Sequence, residues 1–137
     1  MSTPQRGYRE IEHTADWELE VWAEDLSGLL EEAAGGMYEL MGVEVSEDDR
    51  CHRRLELAAD DHEGLLVSFL GELLHLLDSE HLAFDGFLVT VIGDRLDARL
   101  EGGVVTVRGK EIKAVTFHRL TVRDTGYGFE TRVVFDV

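Results

Sequence analysis

Along residues Trp17–Ala23 apolar and polar positions alternate, with Trp17, Leu19, Val21 and Ala23 on one side and Glu18, Glu20 and Trp22 on the other. A period of two with an acidic outer face predicts a half-buried strand, and an ordered segment at 8–13 precedes it. At Asp25 the period changes. Leu26, Leu29, Leu30, Ala33, Met37, Leu40 and Met41 recur at helical spacing, with Asp25 placed to cap the helix and Gly42 to stop it. Gly35-Gly36 inside this helix lowers its intrinsic propensity but leaves room for a neighbouring backbone or side chain to come close.

Alternation returns at Arg53, Leu55, Leu57 and Ala59, and Asp60 and Glu63 have the spacing of a capping box at the start of a second helix. Leu66, Phe69, Leu70, Leu73 and Leu77 form its apolar stripe, widened by Leu65, Leu74 and Leu76, so this helix is expected to be the more buried of the two. From Phe84 onward the period is two. Residues 87–92 and 95–101 read as a hairpin about Gly93-Asp94, Gly102-Gly103 as the next turn, and 104–107 as a short extended piece. A long strand is predicted over 112–123 with Ile112, Ala114, Thr116, His118, Leu120 and Val122 facing inward. A final one over 129–137 has Phe129, Thr131, Val133 and Phe135 on one face. Two helices and about seven half-polar strands predict an α+β fold: a two-layer α/β sandwich with two main helices packed on a mixed, largely antiparallel β-sheet. One domain over 8–137, preceded by a flexible segment at 1–7, is the expected organisation.

Charge changes the picture more than length does. The 137 residues include 29 acidic and 13 basic side chains, for a formal charge of −16, which opposes tight binding of a phosphate backbone. Lysine occurs only at 110 and 113; the other cations are arginines. Cys51 is the single cysteine, so no intrachain disulfide can form and a cytoplasmic location is expected. No apolar run is long enough to span a membrane, and the polar residues 1–7 do not make a signal peptide.

Most familiar chemistry is missing. There is no phosphate-binding glycine loop, and Gly126-Tyr127-Gly128 reads as a hairpin turn. No serine or cysteine has a nucleophile's setting, with Ser68 falling inside the second helix, which argues against independent hydrolase chemistry. His13 and His118 lie in strand-like segments, where a lone histidine is more often a hydrogen-bonding residue than a catalyst. The end of the chain is different. Asp136 stands beside the carboxylate of Val137, so two adjacent residues offer hard oxygen donors suited to Ca²⁺ or Mg²⁺, although a solvated, frayed terminus has the same composition. Asp16, between two strand-like segments, is either a turn aspartate or a side chain aimed into a cleft. Should the sheet bring Asp16 beside Asp136, three carboxylates would be available, enough for a hard-metal site completed by water.

Through these residues the chain resembles the archease family, the protein partners of the RNA-splicing ligase RtcB. His13-Thr14-Ala15-Asp16 is similar to that family's opening motif, and the run from Asp25 to Ala34 to its first helix. Leu65 to Leu74, Lys113-Ala114-Val115-Thr116-Phe117-His118 and the final Val134-Phe135-Asp136-Val137 follow in the same order. The resemblance implies a two-layer α/β sandwich that carries a divalent metal, Ca²⁺ first with Mg²⁺ or Mn²⁺ as alternatives, held by Asp16, Asp136 and Val137. It also implies an activator, not an enzyme: a protein cofactor that promotes guanylylation and repeated turnover of an RtcB-type ligase in tRNA splicing or RNA repair. A monomer with no membrane association and no tight nucleic-acid binding is expected. The competing readings are an independent metal-dependent phosphohydrolase and an RNA-binding escort module. The compact 103–112 region departs from relatives that have a longer loop there.

Overall fold

The computed structural model describes residues 5–12 and 16–137. In chain order its elements are β1 (Gly7–Ile11), β2 (Trp17–Ala23), α1 (Leu26–Met41), β3 (Glu44–Val45), β4 (Cys51–Ala58), α2 (His62–Glu80), β5 (Leu82–Ile92), β6 (Arg95–Val107), β7 (Ala114–Val115), β8 (Arg123–Asp124) and β9 (Phe129–Asp136). The fold is α+β, as the periodicity predicts. The strands divide between two sheets, and every pairing among the described residues is antiparallel.

In the first sheet β2 lies between β1 and β9, and β9 also carries the short strands β7 and β8. In the second, β6 is central, flanked by β4 and β5 and extended by β3. Both helices cover the sheets' inner faces. α1 packs on β1 and β2 of one sheet and on β5 of the other, while α2 packs on β4, β5 and β6 and reaches β7. All eight apolar residues assigned to the α2 stripe are buried and meet Leu19, Met37 and Phe135 in one core.

The two helix starts show how short side chains set boundaries. Asp25 accepts a hydrogen bond from Gly28 N–H at 2.7 Å and Asp61 one from Gly64 N–H at 2.7 Å, each satisfying a donor that the helix leaves open. The predicted capping box at Asp60 and Glu63 is therefore displaced by one residue. Asp61 is the cap, and the Glu63 carboxylate instead accepts from Val122 N–H at 2.7 Å. At the α1 terminus Gly42 takes φ +66, a left-handed conformation suited to glycine. Within α1, a Cβ on Gly36 would stand 2.6 Å from Leu19 Cδ2 and 2.9 Å from the Tyr8 ring, so the helix approaches β1 and β2 as closely as its missing side chain allows.

Two sequence expectations fail for tertiary reasons. Gly102 and Gly103 do not form a turn; they are buried within β6. A Cβ on Gly102 would come within 2.0 Å of Ala83 O, so glycine here serves strand contact, beside the register shift between Phe84 and Gly86. The predicted strand over 112–123 is also broken. Only Ala114–Val115 and Arg123–Asp124 pair with β9; between them Leu120 N–H turns back to Phe117 O, with Arg119 at φ +54. The Glu63 carboxylate and the Thr131 hydroxyl, which donates to Thr121 O at 2.9 Å, tie this excursion down. Of the predicted inner face, Ile112 is buried, whereas Ala114 and His118 are exposed.

Candidate functional site

The end of β9 is set by its two neighbours. β2 runs antiparallel to it in continuous register from Ala23 opposite Phe129 to Trp17 opposite Phe135. The ladder ends there, with Asp16 in the bend before it; continued by one residue, the register would set Asp16 across from Asp136, and directly opposed residues of an antiparallel pair project to the same face. On the other side Ala114 is the partner of Asp136, and Lys113 N–H donates to Asp136 O at 2.8 Å. Phe135 is fully buried, so alternation turns Asp136 outward, and both Asp16 and Asp136 are exposed. Asp16 and Asp136 thus flank the last pair of the β2–β9 ladder, Trp17 and Phe135, with Val137 as the next residue, itself 47% exposed. His13, Thr14 and Ala15 lie outside the described residues, and His118 lies in the 117–120 turn, where its N–H donates to the Thr116 hydroxyl at 3.2 Å.

The donors present are hard. Among the described residues no group of three or more His, Cys, Asp or Glu side chains has an arrangement able to hold a metal. A cation here would need the Val137 carboxylate in addition to the two aspartates. Carboxylate oxygens open to water suit Ca²⁺ or Mg²⁺ and lack the nitrogen or sulfur that favours Zn²⁺.

Basic groups that no sequence motif marks stand at the same end. Lys110 Nζ stands 5.0 Å from the ring centroid of Trp17, the residue that follows Asp16. Its backbone is fixed from the other side, because Lys110 N–H donates to Met41 O at 2.9 Å and Gly109 lies close enough that a Cβ would come within 2.5 Å of the same oxygen. Lys113 is hydrogen-bonded to β9 through its backbone. Both lysines of an otherwise arginine-based chain therefore border the Asp16–Asp136 end. Their isolation at 110 and 113 was the signal available in the sequence.

Comparison with known proteins agrees with this architecture. Residues 8–137 match the model of the Archease protein family (MTH1598/TM1083). The chain is similar to the protein archease of Methanothermobacter thermautotrophicus, 30% identical with 96% of this chain and 99% of the relative covered. It is also similar to that of Thermococcus gammatolerans, 35% identical over 85% and 88%. The solution structure of Methanobacterium thermoautotrophicum protein 1598 superposes with a TM-score of 0.73 at 31% identity, covering 96% of this chain and 99% of that one. A crystal structure from Thermotoga maritima, described as an archease and possible chaperone, gives 0.70 at 26% identity, covering 100% and 98%. A family match across nearly the whole chain, together with the same fold in solved relatives, establishes that this chain belongs to the archease family.

Proposed function

We propose that this chain is a metal-dependent activator of an RtcB-type RNA-splicing ligase, promoting guanylylation and repeated turnover of the ligase in tRNA splicing or RNA repair. It acts as a cytoplasmic monomer and is not itself the catalyst. The observation that supports this reading is the β2–β9 register, which ends at Trp17 and Phe135 and, continued by one residue, would set Asp16 opposite Asp136 beside Val137. Asp16, Asp136 and the Val137 carboxylate are the ligands, and Ca²⁺ is the ion, with Mg²⁺ or Mn²⁺ as alternatives. When bound, a divalent cation supplies positive charge that can organise phosphate or carboxylate oxygens at the contact with the ligase. The chain's own residues support that position: Phe135 and Leu19 anchor the two strands in the core, and Lys113 N–H donates to the backbone carbonyl of Asp136 from the other edge.

The decisive experiment combines the protein with its host's ligase, GTP and divalent metal, and follows covalent guanylylation over repeated turnovers. The label is expected on the ligase alone, with substoichiometric protein sufficient. Asp16→Asn that still binds the ligase but no longer stimulates it would tie the carboxylates to activation. Absence of stimulation by the unaltered protein at any ratio, with an active ligase, would reject the proposal. Extending the chain beyond Val137 should weaken both metal binding and stimulation, whereas an extension before Met1 should leave both intact.

A further inference from the structure

A second group of features occupies the same outer face of the first sheet, farther from the aspartates. On β9, Arg132 points to the side of Asp136 from four residues away, about 13 Å along the strand. Arg119, presented by the left-handed residue of the 117–120 turn, lines one hollow with Arg132, of about 550 Å³. Next to it lies a hollow of about 690 Å³ lined by Trp22 and by Tyr127, whose ring is 95% exposed at the β8–β9 turn. The two share Glu20 and Glu130 as a common wall. Each is roomy enough for part of a small ligand, for which sites begin at about 300 Å³.

The charges here are paired only in part. Glu20, which faces Arg132 across β2–β9, pairs with Arg9, and Glu130 pairs with Arg123. Among the described residues neither Arg119 nor Arg132 takes part in an ion pair. In a chain of formal charge −16, two arginines left facing one hollow are the combination that a single oxyanion would complete, since guanidinium groups match phosphate oxygens in geometry as well as charge. An adjoining aromatic hollow supplies a flat apolar surface, and the carboxylates between them can accept hydrogen bonds from hydroxyl or amino groups.

We propose that this face is a nucleoside-phosphate site, in which the phosphate lies between Arg119 and Arg132 and the base rests against Tyr127 and Trp22. The ligand is either a free mononucleotide or the phosphorylated end of a strand, which present the same chemistry. Two cations are enough for one phosphate, whereas the acidic remainder of the surface disfavours a long polyanion. The site requires no metal ion and so stands apart from the proposed role of Asp16 and Asp136.

The test is a titration of the metal-free protein, with chelator present, followed through arginine Nε–H and Tyr127 ring resonances. Its arms are a nucleoside monophosphate, a short 3′-phosphorylated oligonucleotide and inorganic phosphate. Saturable shifts at Arg119, Arg132 and Tyr127 are expected with at least one nucleotide ligand, at lower concentration than with inorganic phosphate. Comparing the first two arms identifies the source. The double variant Arg119→Gln, Arg132→Gln should weaken binding by about tenfold or more, and Tyr127→Ala should erase the preference for nucleotide over phosphate. All three side chains are exposed, so an unchanged melting curve is expected for these variants. The proposal is overturned if no ligand gives saturable shifts before ionic strength alone moves the spectrum, or if inorganic phosphate binds as well as both nucleotides.

Discussion

On the outer face of the second sheet Arg54 lies 2.7 Å from Asp97 and 2.8 Å from Glu56, while Arg50 pairs with Asp85 and, at 3.2 Å, with Glu101. Arg53 meets Glu80 on α2 at 2.6 Å. A hollow of about 800 Å³ between Leu88, Ile92, Arg95 and Arg99 also has Glu56 and Asp97 in its wall, so arginines and carboxylates are intermixed there. The outer face of the first sheet is paired only in part, through Arg9 with Glu20 and Arg123 with Glu130. Asp16 and Asp136 flank the end of the β2–β9 ladder, and Arg119 and Arg132, outside those pairs, share a hollow farther along. The wall of the larger hollow holds Arg95 and Arg99 against Glu56 and Asp97, whereas that of the smaller holds Arg119, Arg123 and Arg132 against Glu20 and Glu130, an excess of positive charge that an anion can complete. The size of a hollow is thus a poorer guide to chemistry than the balance of charge around it.

Substitutions can break this comparison from either side, and the largest effect belongs to the second sheet. Gly102→Ala would put a methyl 2.0 Å from Ala83 O and 2.6 Å from Phe84 Cα, backbone atoms that cannot rotate away. A loss of about 3 kcal/mol or more is expected from denaturant unfolding, at the upper end of overpacking costs. Gly71→Ala on α2 is the matched control: no atom lies within 4 Å of the added methyl, so a gain of up to about 1 kcal/mol is expected.

The first sheet should respond oppositely. Asp136→Asn leaves this exposed position its size and removes one negative charge from a strongly acidic chain, so unfolding without metal should be unchanged or slightly harder. Calcium affinity, read by calorimetric titration, should fall on the order of tenfold or more, since even residues behind a metal's ligands are worth that much. Equal titration curves for the variant and the unaltered protein would remove the site.

What could be read from the chain follows from the range of the interactions involved. Asp25, Leu26–Met41 and Gly42 form a local unit whose cap, stripe and stop all lie in one stretch, and the structure matches it residue for residue. The strand Trp17–Ala23 was equally plain, because one buried face imposes strict alternation. Gly102 misled because its role is contact with Ala83 and Phe84, remote in sequence, while its local signal is that of a turn. Residues 112–123 misled because their alternation suits a strand, yet β9 pairs with them only at 114–115 and 123–124. At the site, residue types and spacing leave open whether Asp16 and Asp136 come near each other, and it is the β2–β9 register, ending at Trp17 and Phe135, that puts both at one end of the sheet. The adjacency of Lys110 to Trp17 depends on α1 holding Gly109 and Lys110 in place, a tertiary contact with no sequence pattern.

A smaller effect tests which aspartate begins α2. Asp61→Ala should cost about 1 kcal/mol through loss of the bond to Gly64 N–H, whereas Asp60→Ala should stay within about 0.5 kcal/mol. The reverse order would restore the capping box inferred from spacing.

The smallest expected effect concerns the charge pairing on the second sheet's surface. The hydrogen bond from Arg54 holds the Asp97 carboxyl below the usual aspartate range, and Arg53 does the same for Glu80. These groups are exposed, so water and salt screen them and each pair contributes little. The sign is nonetheless fixed. A carboxyl that binds its proton less readily when folded stabilises the fold above its unfolded pKa, and that contribution disappears as pH falls through the lower folded value. Arg54→Gln should therefore shift the urea midpoint slightly downward at neutral pH, by less than loss of the Asp61 cap does. The gap from the unaltered protein should close both on acidification through the carboxylate range and on addition of salt. A gap that persists in acid or high salt would mean that Arg54 stabilises through packing of its apolar stem over β4 and β6, and the pairing on this face would then be a consequence of shape instead of charge.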